Sequence, residues 1–327
     1  MDRRTMLLGA AGLVAAGALR PAAAQGAYPS RPVRMVIPWP PGQATDLMAR
    51  VMAQRVSEQW GQTIVPENRA GAGGMIGTDA VAKAAPDGYT ILAASTGPIT
   101  TAPLVQRTPY TPERDFASVA MFIISPYMLV VRKDFPAKDA REFIAKVKAE
   151  PNKYTYASSG TGAAAHLITL MFLSRVGLDR ITVHVPFQGS GPALTAVMAG
   201  QVDFAVDTLA ATGPLVRQGN LRALGISLAR GSTLAPGVPP LAEAADLPGF
   251  DVGAFGGYMV PAGTPRPIIN RLAAECEKAM QAPEVKERYA AIGVEMQPRG
   301  PDAFAAYLRE HRESFRQIIQ ANNIRVD

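Results

Sequence analysis

The chain has 327 residues, 48% of them hydrophobic and 18% charged, with a formal net charge of +6 and no long basic cluster. That balance suits a compact globular protein with enough chain for two cores, and it leaves no electrostatic footprint for nucleic acid. A single cysteine, Cys276, rules out an internal disulfide.

The sequence opens Met1-Asp2-Arg3-Arg4-Thr5, runs apolar over 6–19, and then reaches Ala22, Ala23 and Ala24. A basic start, a short apolar stretch and a small-x-small site read as a cleavable signal peptide over 1–24, and so as export to the periplasm. The stretch is shorter than the roughly 20 residues a membrane-spanning helix needs, and no later segment is apolar for that length. The Arg3-Arg4 pair, followed by Met6, Leu7 and Leu8, fits the twin-arginine route as well as the general one. Cleavage lowers Lys+Arg from 33 to 30 and Asp+Glu from 27 to 26, so the net charge falls from +6 to +4.

After the leader, residues 33–39 read as a strand. Residues 45–60 read as a helix with Leu47, Met48, Val51, Met52 and Val56 on one face, closed by Gly61. A strand at 63–67, a helix at 74–84, a Pro86-Asp87-Gly88 turn and a strand at 90–95 continue the alternation. The pattern then restarts with strand 127–132, helix 138–150, strand 154–158, helix 163–176, strand 181–187, helix 192–199, and strands 202–207 and 222–227. A Pro- and Gly-rich stretch, 232–240, interrupts it. One more strand-like segment passes through Gly256, Tyr258 and Val260, and helices follow at 265–280, 283–292 and 301–321. Cys276 falls in the first of these as a small buried hydrophobe.

Repeated strand–helix–strand order predicts an α/β protein, its sheets mostly parallel with helices on both faces. Two such units with helices added at the end suggest a chain that crosses twice, near 122–127 and 250–258, leaving the C-terminal helices on the first unit. A simple tandem is the other topology.

Open α/β sheets bind ligands at the carboxyl ends of their strands. Two loops stand there in corresponding places: Pro40-Pro41-Gly42-Gln43-Ala44-Thr45-Asp46, and Ser158-Ser159-Gly160-Thr161-Gly162-Ala163-Ala164-Ala165-His166. Glycine permits close backbone approach, and the helix start that follows offers unpaired N–H groups and a favourable dipole for an anion. Taken singly each loop is an ordinary helix start, with Thr45 as a cap and Asp46 as a first-turn charge. Their pairing points to a carboxylate held without an opposing lysine or arginine.

Trp39 closes the first strand and is read either as a cleft wall with a free indole N–H or as packing beneath the loop. Trp60 reads as a helix-end packing residue. Asp207 ends a strand of the second unit, where it either faces the cleft or is an ordinary strand-end residue. Ser159, His166 and Asp207 could form a nucleophilic triad in an exported hydrolase, but no Gly-x-Ser-x-Gly elbow occurs and His166 lies only one or two helical turns from Ser159. Gly71, Gly73 and Gly77 miss dinucleotide-loop spacing at Ile76, and His166, His184 and His311 show no paired metal spacing. The expectation is a binding protein without catalysis, metal or cofactor.

These stretches resemble the receptors of tripartite tricarboxylate transporters, the Bug-type periplasmic proteins. The resemblance covers essentially the whole mature chain. It is carried by the segment from Pro38 to Asp46, by Glu67-Asn68-Arg69 with Gly71-Ala72-Gly73-Gly74, and by Ala84-Ala85-Pro86-Asp87-Gly88-Tyr89-Thr90. Ser158-Ser159-Gly160 with Gly162 and His166, His184-Val185-Pro186-Phe187 with Gly189-Ser190-Gly191-Pro192-Ala193-Leu194, Gly200-Gln201-Val202-Asp203, and Pro261-Ala262-Gly263-Thr264-Pro265 add to it.

The resemblance implies a two-lobed, type II-like periplasmic binding fold with a cleft between lobes, divided as 25–123 plus 254–327 and 124–253. It implies a ligand carboxylate held by main-chain and hydroxyl groups, and the expected state is a monomer. It also implies delivery to membrane components of the transporter; a membrane sensor kinase is the alternative partner. The ligand-binding set expected is Trp39, Pro41, Gly42, Gln43, Ala44, Thr45 and Asp46; Ser95 and Thr96 after the third strand; Ser158, Ser159, Gly160, Thr161, Gly162, Ala163, Ala164 and His166; and Asp207. Gln43 replaces the family's usual second glycine, Met75 a common Asn, and Thr161, Ala163 and Ala164 more polar residues. These departures favour a ligand with an apolar or aromatic body beyond its acid group.

Overall fold

The computed structural model describes residues 28–324, so the signal-peptide reading of 1–24 lies outside the described residues. Among the described residues, ten strands form two mixed sheets that share one long strand, β4 (Phe116–Arg132). The first sheet runs β2 (Ile64–Asn68), β1 (Val33–Ile37), β3 (Thr90–Ser95), β9 (Gly253–Pro261), the first part of β4, then β10 (Glu295–Arg299). The second runs β6 (Val183–Pro186), β5 (Thr155–Ser158), β7 (Phe204–Thr208), the last part of β4, then β8 (Leu221–Ile226).

Parallel pairing is confined to β2–β1–β3 and β6–β5–β7, the segments whose strands alternate with helices in sequence. All pairs made by β4 and β9 are antiparallel, so the sheets are more evenly mixed than strand–helix alternation alone implies. β4 pairs with β9 from Phe116↔Pro261 to Pro126↔Gly253, then with β7 and β8 from Tyr127 onward. The two crossings between lobes therefore fall at Pro126/Tyr127 and just before Gly253.

Each sheet is covered on both faces by the longer helices, while the short α3 (Ala102–Val105), α4 (Pro112–Asp115) and α9 (Leu241–Ala244) lie in the connections. In the first lobe, α1 (Ala44–Trp60), α10 (Arg266–Gln281) and α11 (Pro283–Ile292) bury Met48, Val51, Met52, Val56, Leu272, Cys276 and Tyr289 on one side. Gly61 ends α1 in the left-handed conformation at φ 66°, where glycine bears no Cβ penalty. Leu47 departs from the expected face: it is 40% exposed, one position round from the buried stripe. The other side holds Val81 of α2 (Met75–Ala82), Tyr110, Phe255 and Phe304.

In the second lobe, α5 (Ala140–Ala149) and α6 (Ala164–Arg175) bury Phe143, Leu167, Phe172 and Leu173 against one face. Leu194, Val197 and Leu209, from α7 (Ser190–Met198) and α8 (Leu209–Arg217), cover the other. The last helix, α12 (Pro301–Ala321), is shared between lobes. Its Phe304 sits in the first lobe's core, while Phe315, Ile318 and Ile319 pack with the second lobe's residues alongside α6. The C-terminal helices thus do not all stay on the first lobe. At the middle of α12, His311 Nε2 lies 3.0 Å from the Gly253 carbonyl at the crossing.

Candidate ligand-binding cleft

A cavity of about 690 Å³ lies between the lobes at the carboxyl ends of the parallel strands. From the first lobe it is lined by Trp39, Gln43, Ala44, Thr45, Ser95 and Thr96, and from the second by Ser159, Gly160, Thr161, Gly162, Ala163, Ala164 and Asp207. Among the described residues, none that lines it is lysine, arginine or histidine, and Asp207 is the one acid.

Three helices begin at this cavity without a side-chain cap: α1 after Gln43, α6 after Ala163 and α7 after Gly189. The first N–H groups of a helix have no intrahelical partner, and the macrodipole adds partial positive charge there. Three such ends on one cavity form a cradle for an anion, built from main chain. Thr45 is not the cap expected of it; the cap position is Gln43, and Thr45 is the second residue of α1.

Five expected site residues lie outside the lining. Pro41 and Gly42 form the exposed outer turn of the first loop. Asp46 is buried beneath it, 2% exposed, and ties the loop down. Its Oδ2 accepts the Gly42 N–H at 2.9 Å, and its Oδ1 accepts from Arg50 Nε and Asn68 Nδ2, each at 2.8 Å. Burial opposes its charge, but the bonds from Gly42, Asn68 and Arg50 outweigh burial and hold its carboxyl below the usual range.

Ser158 and His166 lie under the second loop. His166 Nδ1 accepts the Gly162 N–H at 3.1 Å, and its ring stacks on His184 with centroids 4.0 Å apart. His184 Nε2 in turn lies 2.7 Å from Ser158 Oγ, which accepts the Gly160 N–H at 3.2 Å. Burial first, and the neighbouring His184 second, push the His166 pKa down to about 3; burial pushes His184 down to about 4. Both rings are neutral acceptors or donors at physiological pH.

The triad geometry is not formed. His166 is spent on Gly162, and Asp207 Oδ1 accepts from Ser190 Oγ at 2.9 Å and from the Thr208 N–H at 2.7 Å. Trp39 does line the cavity, but its indole N–H is not free: it donates to Ser95 Oγ at 2.9 Å. Met75 is not part of the lining either. Its sulfur packs 3.5 Å from Gln106 Nε2, and Gln106 takes the place at the wall.

Several lining residues escaped the sequence reading. Thr101 comes from a π-helical turn (Gly97–Thr101) after β3, and Gln106 directly follows the short α3 (Ala102–Val105). Ser125 and Tyr127 come from the crossing part of β4, and Gly189 and Ser190 from the loop after β6. The last pair obeys the same carboxyl-end rule as the two loops identified and could have been found by it.

Two mixed α/β sheets joined by crossing strands, with a cleft between them walled by helix N-termini, define a two-lobed solute-binding protein of the periplasmic type. The sequence profile of the tripartite tricarboxylate transporter family receptors matches residues 48–324, and the chain belongs to that family. It is 36% identical over 320 residues to Protein BugT of Bordetella pertussis, covering 97% of each chain. Among solved structures it is similar to MatC from Rhodopseudomonas palustris with bound malate, at 34% identity and TM-score 0.74, covering 89% of this chain and 100% of that one. It is similar also to R. palustris Rpa4515 with adipate, at 29% identity and TM-score 0.78, covering 91% and 99%.

Proposed function

We propose that the chain is an exported periplasmic receptor that closes on a small carboxylate and delivers it to the membrane components of a tripartite tricarboxylate-type transporter, without catalysis. The observation that carries this is the cavity with three uncapped helix N-termini and no basic side chain, which suits an acid group held by N–H groups and hydroxyls. Relatives described with malate and with adipate support the ligand class. The bodies that close are 25–123 with 254–327, and 124–253, except that the end of α12 moves with the second lobe on which it packs; they hinge where β4 and β9 cross, and the receptor works as a monomer. Trp39, Gln43, Thr45, Ser95, Thr96, Ser159 to Ala164 and Asp207 are the contacts proposed for the ligand.

A thermal-shift panel of aliphatic and aromatic mono-, di- and tricarboxylates tests the class, and small-angle scattering with the best binder tests closure. At least one acid should raise the melting temperature, and the radius of gyration should fall at saturation. Absence of any stabilising acid, or turnover of ester substrates that His166 substitution abolishes, would overturn the receptor reading.

A further inference from the structure

Asp207 is the one acid in a cleft otherwise arranged for an anion. It is 1% exposed at the end of β7, and its Oδ1 is satisfied by Ser190 and Thr208. Among the described residues, its buried Oδ2 has no hydrogen-bond partner. Burial raises its pKa, and no lysine, arginine or histidine of the cavity wall offsets its charge. A buried carboxylate oxygen left without a donor is destabilising, so such an atom at a ligand cavity marks a place where the ligand completes the bonding. A purely structural role at the start of α7 accounts for Oδ1 and the Ser190 bond, but not for Oδ2.

The position of Asp207 says which part of the ligand would complete it. β5 and β7 are parallel neighbours, with Tyr156 opposite Phe204 and Ala157 opposite Ala205. That register sets the end of β5 beside the end of β7, and Ser159, the first residue past β5, lines the cavity together with Asp207. The loop that leads into α6, with its unpaired N–H groups, therefore stands beside Asp207. A carboxylate seated on that loop would share the cavity with the aspartate, its adjoining carbon being the nearest part of the ligand able to carry a donor to it. An unsubstituted acid brings only acceptors and negative charge to that place.

We propose that Asp207 makes the receptor selective for acids that carry a hydrogen-bond donor, a hydroxyl or an ammonium, on the carbon next to the carboxylate. This rests on the carboxylate reading of the cleft and narrows its substrate class. The donor is received by Oδ2 while the carboxylate lies on the N–H groups of the loop after β5. An ammonium also neutralises the buried charge; a hydroxyl supplies the donor alone.

Calorimetric titration of the full chain with matched acids tests it: succinate, malate and aspartate; glutarate, 2-hydroxyglutarate and glutamate; phenylacetate, mandelate and phenylglycine. In the set that binds most tightly, the hydroxy or amino member should exceed the unsubstituted acid by about tenfold or more, the size of a hydrogen bond to a charged group. Preference for the amino member alone assigns an ammonium ligand, and equal preference for both assigns any donor. Asp207→Asn keeps an acceptor for Ser190 and Thr208 but puts an amide N–H₂ where the free oxygen was, so the preference should shrink below about threefold. Unsubstituted acids should bind this variant as well as or better than wild type. An unsubstituted acid binding equally well in wild type, or a preference retained in Asp207→Asn, overturns the inference and leaves the carboxylate receptor intact. The wild-type comparison decides even if the variant fails to fold. No binding by any acid overturns the carboxylate reading, and this inference with it.

Discussion

The two cleft loops solve one problem with opposite chemistry. In each, a residue in the first turn of the following helix reaches back four positions and takes the N–H of a loop glycine: Asp46 takes Gly42, and His166 takes Gly162. The first loop is fastened by a buried charge within an ionic network of Arg50 and Asn68. The second is fastened by neutral imidazoles and a serine hydroxyl. The lesson is that the helix N-terminus, not the fastening residue, is the shared element. Asp46 and His166 stand in corresponding places below the cleft floor, and neither reaches it.

If that comparison holds, Asp46→Ala has the largest effect. It strands the Gly42 N–H and removes partners from Arg50 and Asn68, and should destabilise the fold by about 2–4 kcal/mol in urea titration. A variant of wild-type stability that loses ligand affinity would mean that Asp46 acts on the ligand instead.

Next come the glycines. Gly160 lines the cavity at φ +130°, while Gly42 stands outside it at φ +85°. Both backbones disfavour a side chain, so Gly160→Val and Gly42→Val should each destabilise by about 1–3 kcal/mol. Only Gly160→Val should abolish binding, because of the two only Gly160 borders the cavity where the acid group would lie. Equal loss of affinity in both variants would break the distinction between cradle and outer turn.

The third expected effect is a difference in pH response. His166 is neutral in the fold with its pKa depressed to about 3, so its contribution is fully present above its ordinary value near 6.5. That contribution is lost as pH falls from there towards 3. His184 behaves likewise, down to about 4, and so does His311 at the crossing, where burial also depresses the value to about 4. Asp46, held below its ordinary value, keeps its contribution until pH drops below about 3.8. Between pH 6.5 and 4 the second loop should therefore weaken while the first holds. Stability should fall by about 1–2 kcal/mol per histidine by pH 5. His166→Gln should flatten part of that slope, and a slope unchanged in this variant would remove His166 from the account.

Much of the fold was readable because its parallel segments alternate helix and strand in sequence, and helices such as α1, α10, α11 and α12 end within a residue of expectation. What escaped has physical causes. The first part of β4 is buried on both faces as it crosses between lobes, so it shows no period of two. β10 carries Glu295, Gln297 and Pro298, which read as loop. α8 holds Gly213 and Pro214 inside it, which mask a helix. In the cleft, glycine loops after strands were legible. The downward aim of Asp46, Ser158 and His166 was not, because a first-turn or strand-end side chain can face ligand or loop with the same sequence.

The smallest expected effect concerns the two tryptophans, one per environment. Trp39 lines the cavity, gives its N–H to Ser95, and lies so close to Gly97 that a Cβ there would meet its ring at 3.1 Å. Trp60 is remote, at the end of α1, edge-on to Tyr28 with centroids 5.9 Å apart. Trp39→Phe keeps most of the ring's packing and loses one hydrogen bond, so stability should fall by only about 1 kcal/mol. The optical effect is clearer. Ligand enclosed by the lobes changes the surroundings of Trp39 and leaves those of Trp60 as they were. Intrinsic fluorescence should therefore respond to a bound acid in wild type and in Trp60→Phe, and most of the response should vanish in Trp39→Phe. Because the indole N–H is already engaged, Ser95→Ala should shift the unliganded emission while the ligand-induced change persists. A response that survives in Trp39→Phe and disappears in Trp60→Phe would place the ligand away from the first loop, and the symmetry drawn between the two loops would fail with it.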